Sequence, residues 1–278
     1  MSVLFIKNLE KHVRRIKQKF GNPTLRYVET HLTDHCNLRC KGCGHFSPIA
    51  PKWFCVLEDH ARDMRQLSRL FSNIETIRLM GGEPLLHPEV NTFLAATRTY
   101  FPRSDIRLVT NGILLQKMSH NFWKACKENK IIIDITIYPP YLAQTSMWAE
   151  TARKHEVKLS TQTAETFFAH MNECGTSNAN TAFENCRSKF YCPFLQKGKL
   201  YTCSLPALIH HFNKRYGMSI PSSEYVDIYK PGLKGRDVLE ILEKPMNTCR
   251  YCSEVDISYE WGHCTYAAED WFVSTYVK

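Results

Sequence analysis

No stretch of this sequence approaches the roughly 18 consecutive apolar residues that mark a membrane-spanning helix. The N-terminus lacks the apolar core of a secretory signal, so a cytoplasmic location is expected. Internal repeats and low-complexity tracts are absent, which excludes a repeat architecture. The formal net charge is +9, yet Lys and Arg do not gather into a compact stripe with interleaved aromatics. No nucleic-acid partner is therefore expected. The excess charge reads as a generally basic surface, with an anionic substrate, phosphorylated or nucleotide-linked, as the alternative.

What the chain has in abundance is cysteine, with 12 in 278 residues. Without a secretory signal, metal ligation in a reducing compartment is a better reading than disulfides. Three of them form Cys36-Asn-Leu-Arg-Cys40-Lys-Gly-Cys43, spaced C-x3-C-x2-C after a strand-like run at 27–32. Thiolates this close in sequence cannot easily pair with one another and are placed to grip one metal centre. Three fall one short of the four that normally hold a cubane [4Fe–4S] cluster, which leaves one iron open. A zinc knuckle or a chance cluster is the bland alternative.

From residue 25 onward, strands and helices alternate. Strands are predicted at 27–32, 75–80, 105–110, 131–138 and 157–162, with helices near 58–72, 89–101, 115–128 and 142–156. Ala61, Met64, Leu67 and Leu70 recur at three-residue spacing, one buried helical face. Ile131-Ile-Ile-Asp-Ile135 reads as a strand buried on both sides. Repeated βα units imply a parallel sheet with right-handed crossovers, and the length allows about six strands of a partial barrel. Ahead of this, residues 6–20 form a basic amphipathic helix expected to pack on the domain rather than on a membrane.

The predicted strand 76–80 ends in Gly81-Gly82-Glu83-Pro84. C-x3-C-x2-C after one strand and Gly-Gly-Glu-Pro after the next resembles the radical SAM superfamily, over roughly residues 27–163. The resemblance implies that Cys36, Cys40 and Cys43 hold a [4Fe–4S] cluster whose open iron binds S-adenosylmethionine. It places Gly81, Gly82 and Glu83 against the methionine amine, and implies reductive cleavage to a 5′-deoxyadenosyl radical. Gly42 departs from the family, which often has an aromatic residue before the third cysteine. The expected fold is α/β, a partial (β/α)6 barrel of the radical SAM type with a small cysteine-rich domain after it. Boundaries are expected at 1–23 for the N-terminal helix, 24–180 for the barrel and 181–278 for the auxiliary domain.

Active groups in parallel α/β folds sit at C-terminal strand ends. Asn111 and Thr136 stand there and are candidates for the cofactor ribose, although both are also ordinary cap and turn residues. Leu38 is expected near the adenine or the cluster, as in the family, and Phe46 to stack there too. His45 is a candidate substrate contact or a loop cap. Cys55, Cys126 and Cys174 read as buried inert thiols.

The last hundred residues carry Cys186, Cys192, Cys203, Cys249, Cys252 and Cys264. Eleven residues separate Cys186 from Gly198 and four separate Gly198 from Cys203, and Cys249-Arg-Tyr-Cys252 follows after a gap. This is similar to the single-cluster twitch form of the SPASM domains. The similarity implies Cys186, Cys203, Cys249 and Cys252 as ligands of a second, auxiliary [4Fe–4S] cluster. Cys192 or Cys264 is a candidate substitute ligand, and Cys192 is also a candidate hydrogen-atom donor to a substrate radical. A four-cysteine zinc site remains the alternative.

The implied function is hydrogen-atom abstraction from a small polar substrate, favoured as a sugar or aminocyclitol, ending in dehydrogenation or epimerisation. An external electron donor such as flavodoxin or ferredoxin would be needed. The chain ahead of Tyr27 is expected to be too short for a leader-peptide-binding domain, which weighs against peptide substrates. The alternatives are a maturase or activase of peptide side chains and a non-catalytic Fe–S or zinc scaffold.

Overall fold

The computed structural model describes residues 23–272, so the predicted helix at 6–20 lies outside the described residues. Four βα steps and a fifth strand open the fold. The strands are β1 (Thr24–Thr33), β2 (Asn73–Gly81), β3 (Asp105–Thr110), β4 (Ile132–Ile137) and β5 (Lys158–Thr163). Between them lie α1 (Leu57–Leu70), α2 (Val90–Tyr100), α3 (His120–Glu128) and α4 (Thr145–Lys154). Each strand pairs in parallel with the next. The register sets Thr33 beside Gly81, so the cysteine loop and the glycine turn leave the sheet at the same edge.

Sequence pattern and structure agree on how these elements are held. α1 buries Met64, Leu67 and Leu70 on the sheet, and its first turn carries Glu58 and Asp59, where acidic charge favours a helix start. β4 is buried along nearly its whole length. The helix expected over 115–128 is instead two pieces. A 3₁₀ turn spans Leu115–Lys117, and Ser119 then caps α3 by accepting the N–H of Phe122. Pro139 and Pro140 likewise begin a 3₁₀ segment, and α4 starts only at Thr145.

The sixth parallel strand is the main departure from a simple succession. It is β7 (Phe194–Gln196), which pairs with β1 at the opposite edge from β5. The hairpin to β8 (Lys199–Tyr201) turns through Lys197 and Gly198, both at positive φ, a geometry that glycine accepts without strain. The short β9 (Val226–Asp227) completes an eight-stranded sheet. Residues beyond 181 therefore enter the main sheet and core, among them Leu195, Leu200, Val226 and Val238. A separate antiparallel pair joins β6 (Thr166–Met171) to β10 (Cys252–Glu260).

Three further helices follow β6 in the chain, α5 (Ala179–Lys189), α6 (Ser204–Tyr216) and α7 (Gly235–Leu242). A second hydrophobic core lies under α6, where Phe46, Phe194, Leu208, Phe212 and Trp271 meet. No described helix is long and apolar enough to cross a membrane.

Candidate cofactor site

The loop after β1, the turn after β2 and the ends of β3 and β4 line one cavity of about 230 Å³. Cys36, Cys40 and Cys43 line it with Gly81, Gly82, Asn111 and Thr136, and Leu38, His45, Ser47, Tyr138 and Phe167 are among the other residues of its wall. Close approach of loop and turn requires glycine. A Cβ on Gly81 would fall 2.1 Å from the Thr33 carbonyl oxygen, and one on Gly82 2.2 Å from that of His35. With no side chain in the way, Gly82 and Glu83 donate their N–H groups to those same carbonyls at 3.0 and 3.1 Å.

Glu83 does not line the cavity. Its carboxyl group is fully buried and accepts the Thr110 hydroxyl at 2.7 Å and the N–H groups of Asn111 and Leu85 at 2.9 and 3.0 Å. Burial pushes it up to about 7, although all three donors favour the charged form. Its place in the structure is to tie the β2 turn to the end of β3. Asn111 then turns its amide to the Asn37 side chain at 2.7 Å, directly beside Cys36.

Behind the cavity runs a buried polar chain. Asp34 accepts from Nδ1 of His31 at 2.8 Å and from Nε2 of His211 at 3.2 Å. Burial alone would raise Asp34, but the bonds from His211 and His31 outweigh it and hold the carboxyl well below the usual range. Nε2 of His31 in turn lies 3.1 Å from Nδ1 of His45. Burial and then the nearby His31 push His45 down to about 4, so this cavity residue is a neutral imidazole.

Comparison with known proteins decides what kind of site this is. The Radical SAM superfamily model matches residues 30–178, more than half of the chain. The chain belongs to the radical SAM superfamily. It is 30% identical over 118 residues to the GTP 3′,8-cyclase of Staphylococcus carnosus, covering 41% of this chain and 34% of that protein. The corresponding enzyme of Staphylococcus aureus strain JH9 is 31% identical over 121 residues, with the same coverage. The chain thus matches about a third of the length of these curated relatives. Among solved structures, BtrN in complex with AdoMet and 2-DOIA aligns with TM-score 0.49 and 16% identity, over 84% of this chain and 98% of that one. Native anSMEcpe with bound AdoMet aligns with TM-score 0.40 and 18% identity, over 61% of this chain and 52% of that one.

Membership of the radical SAM superfamily implies a [4Fe–4S] cluster and S-adenosylmethionine, and the cavity fits both. Its wall holds three thiols, and burial raises Cys36 and pushes Cys40 up to about 12, so a metal's charge is needed to ionise those two. Among the described residues, no three Cys, His, Asp or Glu side chains converge as ligands of a single metal ion do. The Ser47 hydroxyl belongs to the cavity wall, is buried and has no hydrogen-bond partner among the described residues, as a group left for a polar ligand would be.

The radical SAM loop also meets residues that sequence spacing could not reveal. Gly42 has φ +61°, and the hydroxyl of Tyr259 on β10 occupies the space a side chain there would fill. Trp261 and Cys264 follow onto the same loop. Phe46, expected at the cofactor, points away instead. It is fully buried against Phe212 and Trp271, because its backbone at φ 53° turns the ring into the second core.

The other cysteines sort by place. Cys186 on α5, Cys192 before β7, Cys203 at the start of α6, Cys249 in a 3₁₀ turn and Cys252 at the start of β10 gather in one region. After burial, the charges of these neighbours are among the causes that raise Cys192, Cys203, Cys249 and Cys252. Cys192 is not in the cavity wall. Cys264 leaves this group altogether, its N–H bonded to the Arg39 carbonyl and its thiol close enough to raise Cys40. Cys126 is buried as expected, Cys55 is half-buried, and Cys174 is exposed because it lies on the loop after β6.

Proposed function

We propose that this radical SAM protein is a two-cluster enzyme that abstracts a hydrogen atom from a small polar substrate, a sugar or aminocyclitol, and completes its oxidation. The observation that carries this reading is the gathering of five late cysteines outside the cofactor cavity. When bound, the first cluster and S-adenosylmethionine supply reductive C–S cleavage and, through it, a hydrogen-abstracting radical.

In this reading Cys36, Cys40 and Cys43 hold the first cluster, and the backbone of Gly81 and Gly82 faces the methionine end of the cofactor. Glu83 acts one step back by fixing the turn. Asn111 and Thr136 are the polar groups for the ribose, and Leu38, Tyr138 and Phe167 keep water from the reacting end. The neutral His45 imidazole, which lines the cavity, offers the substrate a hydrogen-bonding group. Cys186, Cys203, Cys249 and Cys252 would hold an auxiliary cluster, which would supply a nearby one-electron acceptor. A place for Cys192 outside the cavity wall favours oxidation over hydrogen return from that thiol, and so favours a dehydrogenase over an epimerase. An external one-electron donor such as flavodoxin or ferredoxin completes the cycle.

The test is anaerobic turnover with deuterated aminocyclitols and sugars and with cysteine- and serine-containing peptides. Deuterium in 5′-deoxyadenosine only from the cyclitol or sugar, with a ketone product, supports the reading. Transfer only from peptides replaces the substrate class, and a reduced, loaded protein that never cleaves S-adenosylmethionine defeats the enzyme reading.

A further inference from the structure

The segment leaving β10 docks on the cysteine loop as a short strand. Lys41 donates its N–H to the Gly262 carbonyl and Cys264 donates to Arg39, both at 2.8 Å, and Cys40 and His263 form an antiparallel bridge between them. The docking aims one side chain at a sulfur. The indole N–H of Trp261 lies 3.1 Å from Sγ of Cys40, a contact across 221 positions of sequence. Cys40 is 6% exposed, and an indole nitrogen is a donor only, so the direction of the bond is fixed. Tyr138 packs against the same ring at 5.8 Å. On Cys36 the nearest donor is the backbone N–H of Leu38 at 3.3 Å, with the Asn111 amide farther off at 3.7 Å.

We infer that Trp261 sets the reduction potential of the first cluster through its hydrogen bond to Cys40. The inference rests on the reading that Cys36, Cys40 and Cys43 hold that cluster. Reduction adds negative charge that spreads onto the ligand sulfurs. A donor aimed at one of them stabilises the reduced state more than the oxidised one and raises the potential. In a dry site the bond is stronger than it would be in water. Trp261 touches no reacting atom and acts as a positioning residue, through the electronics of a ligand. It also links the two cysteine groups, since β10 begins at Cys252 and its continuation ends on Cys40.

The experiment uses the full chain, anaerobically reconstituted, with Trp261→Phe beside the parent. Iron content is measured first, then an EPR-monitored redox titration of the signal that changes on adding S-adenosylmethionine, so that any auxiliary cluster is set aside. Trp261→Phe is expected to keep its iron and to titrate at a more negative potential. Lost packing alone would admit water, which stabilises the reduced charge and shifts the potential the other way. An unchanged or more positive potential at full iron content overturns the inference. If Trp261→Phe fails to hold iron, the parent labelled with ¹⁵N-tryptophan decides. A ¹⁵N hyperfine coupling on the reduced cluster sustains the bond, and its absence overturns it. A parent with no signal responsive to S-adenosylmethionine defeats the proposed function itself, a result distinct from both.

Discussion

Gly82 and His35 approach so closely that an added Cβ would stand 2.2 Å from the His35 carbonyl oxygen and 2.7 Å from that of Asp34. Both are backbone atoms, held by the bonds that fix the cysteine loop, and neither can move aside cheaply. Gly82→Ala is expected to cost about 1–3 kcal/mol of stability and to lower retained iron, because the loop must lift to make room. Thermal unfolding and iron analysis of the same preparation check it. Unchanged values in both would show that the loop tolerates displacement.

Glu83 gives the metal-free protein a pH dependence. Its folded value of about 7 lies above the ordinary 4.5. The favourable state in the fold is therefore the neutral acid, fully present below the ordinary value and lost as pH rises through 7. The expected decline is about 3 kcal/mol at about 1.4 kcal/mol per unit. Urea unfolding at pH 5 and pH 8 measures it. Glu83→Gln should remove this part of the slope, and equal slopes in parent and variant would refute the assignment.

Asp34 works in the opposite sense. Its folded value is depressed, so its contribution is present above the ordinary value near 3.8 and fades as pH falls below it. Asp34→Asn leaves His31 and His211 facing an amide and should cost about 2–4 kcal/mol at neutral pH. The gap between parent and variant should hold down to about pH 4 and then narrow. Denaturant titrations across that range show whether it does.

The late cysteines are tested by iron content. At about four irons per cubane, the parent should hold about eight and the Cys36→Ala/Cys40→Ala/Cys43→Ala variant about four. In that background Cys192→Ala is expected to keep its iron and Cys186→Ala to lose it. The reverse would exchange their roles, and an iron-free triple variant would mean that the late cysteines hold no cluster.

Much of the site is legible in the sequence because its three clustered cysteines lie within eight residues and its turn within four. The two motifs need only a parallel register, Thr33 beside Gly81, to bring them together. Strand periods are legible for the same reason, since burial on both faces leaves runs such as Ile131–Ile135. The place of Phe46 is not legible, because its backbone turns at positive φ, which no spacing reveals. Nor is β7, whose three residues carry no period, although it is the sixth parallel strand.

The sequence by itself determined the spacing of the first cysteine group, the βα alternation and the radical SAM membership that local motifs encode. Only the tertiary structure decided which distant groups complete the site. Tyr259 and Trp261 reach the cysteine loop, Asp34 joins His31 to His211, and Cys264 parts from the other late cysteines. Those contacts span up to 221 positions and arise from how β10 and α6 pack over the sheet edge. Spacing along a chain fixes which residues can share one turn or one strand face, whereas contacts between remote elements are set by the packing of whole surfaces.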